Sequence, residues 1–373
     1  MHWHRRVYFI GGFDARSPRH YHRLMRAAVA RRPADGAHAT MGTRTAVDTL
    51  EDWWPMTWTD ADGSWATRYA VLRWDDVVRA RSPAGLAGLL RHAARVYGRA
   101  LPDGAYMRTL WRHARPGLLM GLVPLALLTA CVLAGGVTGL LASLLGLPVA
   151  AAVGLAATAA LTLLAVTAKP VRAAWMLGLL EVTDALARGR DAALNARLDA
   201  MARTVVAAAE AGDADELMLV GHSVGSNWAA AVLARAQRLA PWLGSRGPTL
   251  GLVTLGQTLP LGTARAAGTA GRADVATLTA LQGLTWLDVS APADWAALAG
   301  LPPWSGAPAG AAECWARSPR FHAALTPAHY AALRRDRHAL HMQYLHAPDL
   351  PGGWDIVAQV ARPNALPHTP PSP

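Results

Sequence analysis

Ser223 is the residue around which chemistry can be built. It stands in Gly221-His222-Ser223-Val224-Gly225, a G-x-S-x-G pattern, with the apolar run Leu217 to Val220 before it and the alanine-rich segment Asn227 to Leu239 after it. The run reads as a buried strand and the segment as a helix. A serine at the sharp turn between them is held in a strained conformation, with its hydroxyl presented at the end of a sheet. Glycine is needed two residues before and two residues after it, because side chains there would collide with neighbouring backbone. The bare five-residue pattern recurs by chance, and the strand and helix around it give it meaning.

A serine hydroxyl is a poor nucleophile at neutral pH. It needs a histidine to take its proton and an acid to orient that imidazole. On a strand-elbow-helix scaffold the chain order is serine, acid, histidine. The segment LDVSAPADWAAL offers Asp288 and Asp294. Asp288 falls within a stretch that reads as strand, whereas Asp294 lies in the loop beyond Pro292 and is freer to face a site; it is the preferred acid. Six histidines follow: His322, His329, His338, His341, His346 and His368. His368 sits in the proline-rich end PNALPHTPPSP, which reads as disordered. His341 is the expected base and His338 the second choice. Three-residue spacing would put these two on one side of a helix, but no third ligand accompanies them, so neither a metal nor a cofactor is expected. For the oxyanion, one donor is the Val224 N–H. The other is an N–H of Gly12 or Phe13, in the glycine turn after the apolar run Val7 to Ile10.

The elements that must position these groups alternate along the chain. Helical patterns over Tyr21 to Arg31, Trp175 to Arg188 and Asp191 to Ala211 are interleaved with strand-like runs. Those runs are Trp65 to Trp74, Thr249 to Leu255 and Leu284 to Val289. An α/β fold with a mainly parallel sheet and helices on both faces follows. Trp53, Trp54 and Trp58 fit either a buried core or a surface at a membrane interface.

One stretch does not fit a soluble sheet. Residues 116–168 carry no charge, a length suited to two transmembrane helices of ~20 residues each. Gly117 to Leu140 and Val149 to Ala168 are the expected spans, and Gly135-Gly136 would let them pack closely. Arg108, Arg112 and Arg115 precede the pair and Lys169 and Arg172 follow it, which puts both ends in the cytoplasm. The hairpin therefore divides a front part (1–105) from a back part (173–362), with a tail at 363–373. Both parts return to one side and can fold together.

The net charge of +11 rests almost wholly on arginine, Lys169 being the one lysine. These arginines are scattered and not interleaved with aromatic residues, so contact with anionic lipid is expected and nucleic acid is not. Cys131 lies within the apolar stretch and is poorly placed to meet Cys314, which suits a reducing compartment.

With GHSVGS, then VTLGQTLPL, then APADWAALAGLPP and a late histidine, the chain resembles the α/β-hydrolase superfamily, in particular its lipase-like branch that includes the class 3 lipases. The resemblance covers residues 216–345 and the front glycine loop. It implies Ser223 as nucleophile, Asp294 as acid and His341 as base, acting on an ester through an acyl-enzyme. The chain departs from that pattern at Trp295, where isoleucine or valine is usual, and in having the hairpin. The expectation is a serine esterase held at the inner membrane by two helices, its catalytic domain cytoplasmic, its partners the bilayer and a small-molecule or lipid ester.

Overall fold

Strands buried on both faces read as nearly continuous apolar runs, and three runs in this chain come close to that pattern. They become β6 (Glu216–His222), β7 (Thr249–Leu255) and β8 (Leu284–Val289), with scarcely a residue exposed. The computed structural model describes residues 4–169, 172–363 and 366. Its sheet also contains β1 (His4–Ile10), β2 (His38–Met41), β3 (Thr45–Ala46), β4 (Glu51–Asp60), β5 (Gly63–Leu72) and β9 (Glu313–Arg317).

The strand order is β2-β4-β5-β1-β6-β7-β8-β9, with β3 paired to β4. From β5 through β9 every pairing is parallel, while β2, β3 and β5 each run antiparallel to β4. The result is a mostly parallel α/β sheet flanked by helices. From β1 the chain crosses to the far edge at β2 and returns inward through β4 to β5, then passes to the other side of β1 and builds outward from β6 to β9. That reversal makes the crevice beyond the carboxyl ends of β1 and β6 the natural place for a site.

Alternate residues of the strands face one core. Val7 and Phe9 of β1, Met218 and Val220 of β6, and Val253 and Leu255 of β7 join Met25, Tyr344 and Ile356 there. Residues pointing the other way meet helices, among them Gly225–Leu239, whose Ala229, Ala230 and Ala234 are buried. The small side chains let that helix lie close to the strands. Trp54 and Trp58 are buried in the core, not at an interface; Trp53 is half-buried, with Arg68 stacked over its ring at 4.3 Å.

The pairing of β1 with β6 matters most, because it sets which residues meet at the carboxyl edge. Arg5 pairs with Glu216 in the ladder, and its guanidinium donates to Glu216 Oε2 at 2.6 and 2.8 Å. A further bond runs from Arg5 to the Gln359 carbonyl at 3.3 Å. Both charges are almost wholly buried, at 1% and 5% exposure. Such a pair adds little net stability but is costly to break, since its removal by halves leaves a charge without water or partner. A one-residue slip between the strands would separate them, so the pair pins the register.

Packing divides the chain into one unit of 1–80 with 183–373 and another of 81–182. The front and back parts thus share the sheet. The inserted unit holds more than the hairpin, since the helices Gly85–Ala100 and Gly104–His113 belong to it as well. Two of its helices are long and apolar enough to cross a membrane: Gly117–Leu144 (28 residues) and Val149–Thr167 (19 residues). Val132, Leu133 and Leu144 of the first and Val149 of the second are exposed. The close approach comes from Gly135 and Gly139. A Cβ on Gly135 would stand 2.8 Å from the Ala156 carbonyl oxygen, and one on Gly139 would stand 3.1 Å from Ala156 Cβ; a Cβ on Gly136 would meet nothing within 4 Å. Pro124 interrupts the first helix. One residue later the Tyr97 hydroxyl enters the ladder, donating to the Gly121 carbonyl at 2.7 Å and accepting from the Leu125 N–H at 3.2 Å. The Gly121 carbonyl and the Leu125 N–H are thereby satisfied. Of the expected tail, Pro363 and a buried Leu366 are described; 364–365 and 367–373, with His368, lie outside the described residues.

The buried pair gives a direct test. Arg5→Ala should lower stability by about 3–5 kcal/mol, read as a fall in melting temperature in detergent. The apolar double replacement Arg5→Met with Glu216→Leu should recover most of that loss. Equal losses for the single and double variants would contradict this account of the pair.

Candidate active site

Because β1 and β6 are in register from Arg5–Glu216 to Ile10–Gly221, the residues that follow this register come together. On one side these are His222, the last residue of β6, and Ser223; on the other they are Gly11 and Gly12. Ser223 has φ +57°, in the left-handed region, where non-glycine residues are uncommon. Its N–H donates to the Leu255 carbonyl of β7 at 2.8 Å, which anchors the turn. The glycines around it are required by contact. A Cβ on Gly225 would lie 2.0 Å from the Ile10 carbonyl oxygen, and one on Gly221 would lie 2.5 Å from that of Gly225. On Gly12 it would stand 3.1 Å from Ser223 Cβ and 3.5 Å from Oγ. The front loop therefore sits against the serine.

Val224 caps the helix Gly225–Leu239, and no side chain caps that helix end. Its N-terminus, with the positive end of the helix dipole, adjoins Ser223. Phe13 is buried edge-on to Trp74, whose indole N–H holds the Gly11 carbonyl at 2.9 Å. Trp74 in turn packs on Trp228 of the elbow helix at 4.9 Å. Of the expected oxyanion residues, Gly12 lies against Ser223 in the fold and Val224 follows it in the chain, while Phe13 is the residue after Gly12, packed on Trp74.

The acid and base form a second cluster. His341, on the short helix Arg337–Met342, holds Asp294 Oδ2 with Nδ1 at 2.7 Å, and the two are 3% and 1% exposed. With Nδ1–H donated to the carboxylate, the lone pair is left on Nε2, the tautomer a general base requires. Nε2 is itself buried with no hydrogen-bond partner among the described residues. The hydrogen bond from Ser223 Oγ is accordingly not made, and in ligand-free sites such bonds are often long. The Asp294 loop is fixed by its own backbone, the Ala296 N–H donating to Oδ1 at 3.0 Å. Tyr344 completes the support: its hydroxyl accepts from the Ala291 N–H at 2.8 Å. Burial first, and Asp294 nearby second, hold that phenol well above its usual range.

His222 joins the two clusters. Its ring lies 4.8 Å from the His341 ring, and its Nε2 donates to the His341 carbonyl at 2.9 Å. Burial holds the His222 imidazole well below the usual histidine range, and His341 beside it pushes the same way. It therefore stays neutral and keeps the donor that ties His341 to the residue before Ser223. Sequence reading missed this role. The signal was the histidine inside the elbow itself.

The alternatives fall elsewhere. Asp288 is buried in β8, accepting from Thr254 Oγ1 at 2.7 Å and Ser290 Oγ at 3.4 Å, with no histidine among its partners. Burial pushes its carboxyl up to about 7, against those two hydrogen bonds. His338 is half-buried on the same helix as His341, His329 pairs with Asp349 at 2.8 Å, and His322 lies against Tyr330. Burial lowers His346. Among the described residues no three His, Cys, Asp or Glu side chains are grouped to hold a metal. Compared with known protein families, curated proteins and solved structures, the chain gives no significant match.

Asp288 makes a pH test. Below ~4, the unfolded pKa, both states carry its proton. As pH rises toward 7 the unfolded chain releases that proton while the fold keeps it, so stability is lost across this window. Asp288→Asn should melt close to the parent near pH 4 and several degrees above it at pH 8, as followed by scanning calorimetry. A gap that does not change with pH would contradict a protonated Asp288.

Proposed function

We propose that this protein is a serine hydrolase that cleaves an ester through an acyl-enzyme on Ser223. The observation that carries the reading is Ser223 in left-handed backbone at a strand-helix elbow whose neighbours require glycine. The Asp294–His341 pair, already in the tautomer that leaves Nε2 basic, supports it.

In this mechanism His341 Nε2 takes the Ser223 hydroxyl proton as Oγ attacks the ester carbonyl. Asp294 stabilises the imidazolium that forms. The carbonyl oxygen gains negative charge and is met by the Val224 N–H and an N–H of Gly12 or Phe13. His341 then gives its proton to the leaving alcohol, and water repeats the sequence to release the acid. His222 acts as a positioning residue, holding the His341 backbone. Ser223 and His341 are each 3% exposed, so substrate enters only when covering side chains move.

The two long apolar helices support anchoring in a membrane. Arg108, Arg112 and Arg115 before them and Lys169 and Arg172 after them favour an inner membrane with both ends cytoplasmic. An anchored esterase meets acyl lipids or other apolar esters most often, and these are the proposed substrates. Transfer of the acyl group to an acceptor other than water would use the same residues. A second reading is a binding module without catalysis, favoured by the missing bond between Ser223 and His341.

Hydrolysis of a short-chain nitrophenyl ester by the full chain in mild detergent separates these readings. Ser223→Ala should remove activity, Asp294→Asn should lower kcat by about 10³–10⁴-fold, and Asp288→Asn should leave it near the parent. Parent protein that is folded but inert on esters and thioesters would favour the binding module.

A further inference from the structure

A well-formed cleft in the sheet-bearing unit lies away from Ser223. It has a volume of ≈ 590 Å³ and opens beyond the carboxyl end of β9, between the turn 317–320 and the loop 351–355. Three strand positions separate β9 from β6, so the cleft lies on the order of 15 Å along the sheet edge from the elbow.

Its walls are unusually basic. Arg317, Arg320 and Arg362 all line it, and Asp355 is the one acidic side chain that does. That carboxylate is already committed: Arg32 Nε donates to it at 2.5 Å, and it accepts the Val357 and Ala358 N–H groups at 2.9 and 3.2 Å. Arg317 reaches only the Gln359 side-chain oxygen, at 3.4 Å. Neither Arg317 nor Arg320 forms an ion pair with a described carboxylate, and Arg362 feels Asp60 only at longer range. Arg317, Arg320 and Arg362 are exposed at the mouth of the cleft, whereas the buried and half-buried Arg5, Arg32 and Arg265 of this unit are matched to acids. Arg320 also has φ +46°, one of three described non-glycine residues in the left-handed region, Ser223 being another. Strain of that kind persists where the position of a side chain matters.

We propose that this cleft binds a phosphate-bearing small molecule, independently of the chemistry at Ser223. Three guanidinium groups against one lining carboxylate suit a phosphate monoester or diester, whose oxygens take forked N–H donors. The volume exceeds that of bare phosphate and falls within the range of small-molecule sites. Pro319, Ala323 and Trp354 supply an apolar wall for the organic part. The phosphate belongs either to a soluble metabolite or to a lipid headgroup.

Calorimetric titration of the full chain in non-ionic detergent tests this, with glycerol 3-phosphate as the soluble probe and dihexanoyl phosphatidate, below its micelle concentration, as the lipid one. The expected result is saturable binding of at least one probe, weakened tenfold or more in Arg317→Ala/Arg320→Ala. Arg317→Lys, which keeps charge but loses the fork, should show an intermediate loss. Binding of the soluble probe assigns a metabolite, and binding of the phosphatidate alone assigns a lipid headgroup. Ester hydrolysis and melting temperature should match the parent in both variants, which separates a lost site from a lost fold and from the fate of Ser223. No saturable binding of either probe, or undiminished binding in a folded double variant, would overturn the proposal.

Discussion

Everything at the carboxyl edge depends on how closely β1 and β6 approach around the elbow. Gly225 has room for no side chain because the Ile10 carbonyl occupies that space, and Gly221 has none because the turn folds back on itself. This contact forces the backbone between them into the left-handed conformation at Ser223. The strain costs of order 1–3 kcal/mol and persists because strands on both sides over-determine it. The Arg5–Glu216 pair fixes the register at the far end of the same two strands. Charge burial at one edge and steric exclusion at the other thus hold one geometry.

Buried polar groups around that geometry are sorted by partner. Asp294 meets an imidazole and stays a hydrogen-bond acceptor for it, while Asp288, six residues away in sequence, meets only hydroxyls inside a strand and is pushed toward neutrality. His222 is held neutral and spends its N–H on backbone; His341 spends Nδ1 on Asp294 and leaves Nε2 without a partner. A buried acceptor of that kind is costly, and a reacting hydroxyl would repay it.

Much of this was legible from residues alone. Parallel strands buried on both faces announce themselves, so β6, β7 and β8 could be read with close to their true ends. Asp294 could be preferred over Asp288 because a loop, unlike a strand interior, leaves a carboxylate free to turn. The edge strand β9, with sequence ECWAR, is half exposed and has no apolar pattern, so nothing marked it. The short β2 and β3 were invisible for the same reason. The tryptophans of β4 were ambiguous because burial depends on which face the strand turns to the core. The tie from His222 to the His341 backbone joins residues 119 apart and has no local signature. The cleft at Arg317 was equally hidden, since the turn 317–320 and Arg362 line it together only through the fold.

The central claim is that the strained serine at the elbow is a working nucleophile, activated by His341. Fluorophosphonate labelling of the full chain in detergent, with the adduct located by tandem mass spectrometry, tests it most directly. The account predicts one adduct, on Ser223, abolished in Ser223→Ala and slowed at least a thousandfold in His341→Ala, about the size of a lost general base and its orienting pair. An adduct on another residue, or undiminished labelling in Ser223→Ala, would contradict it.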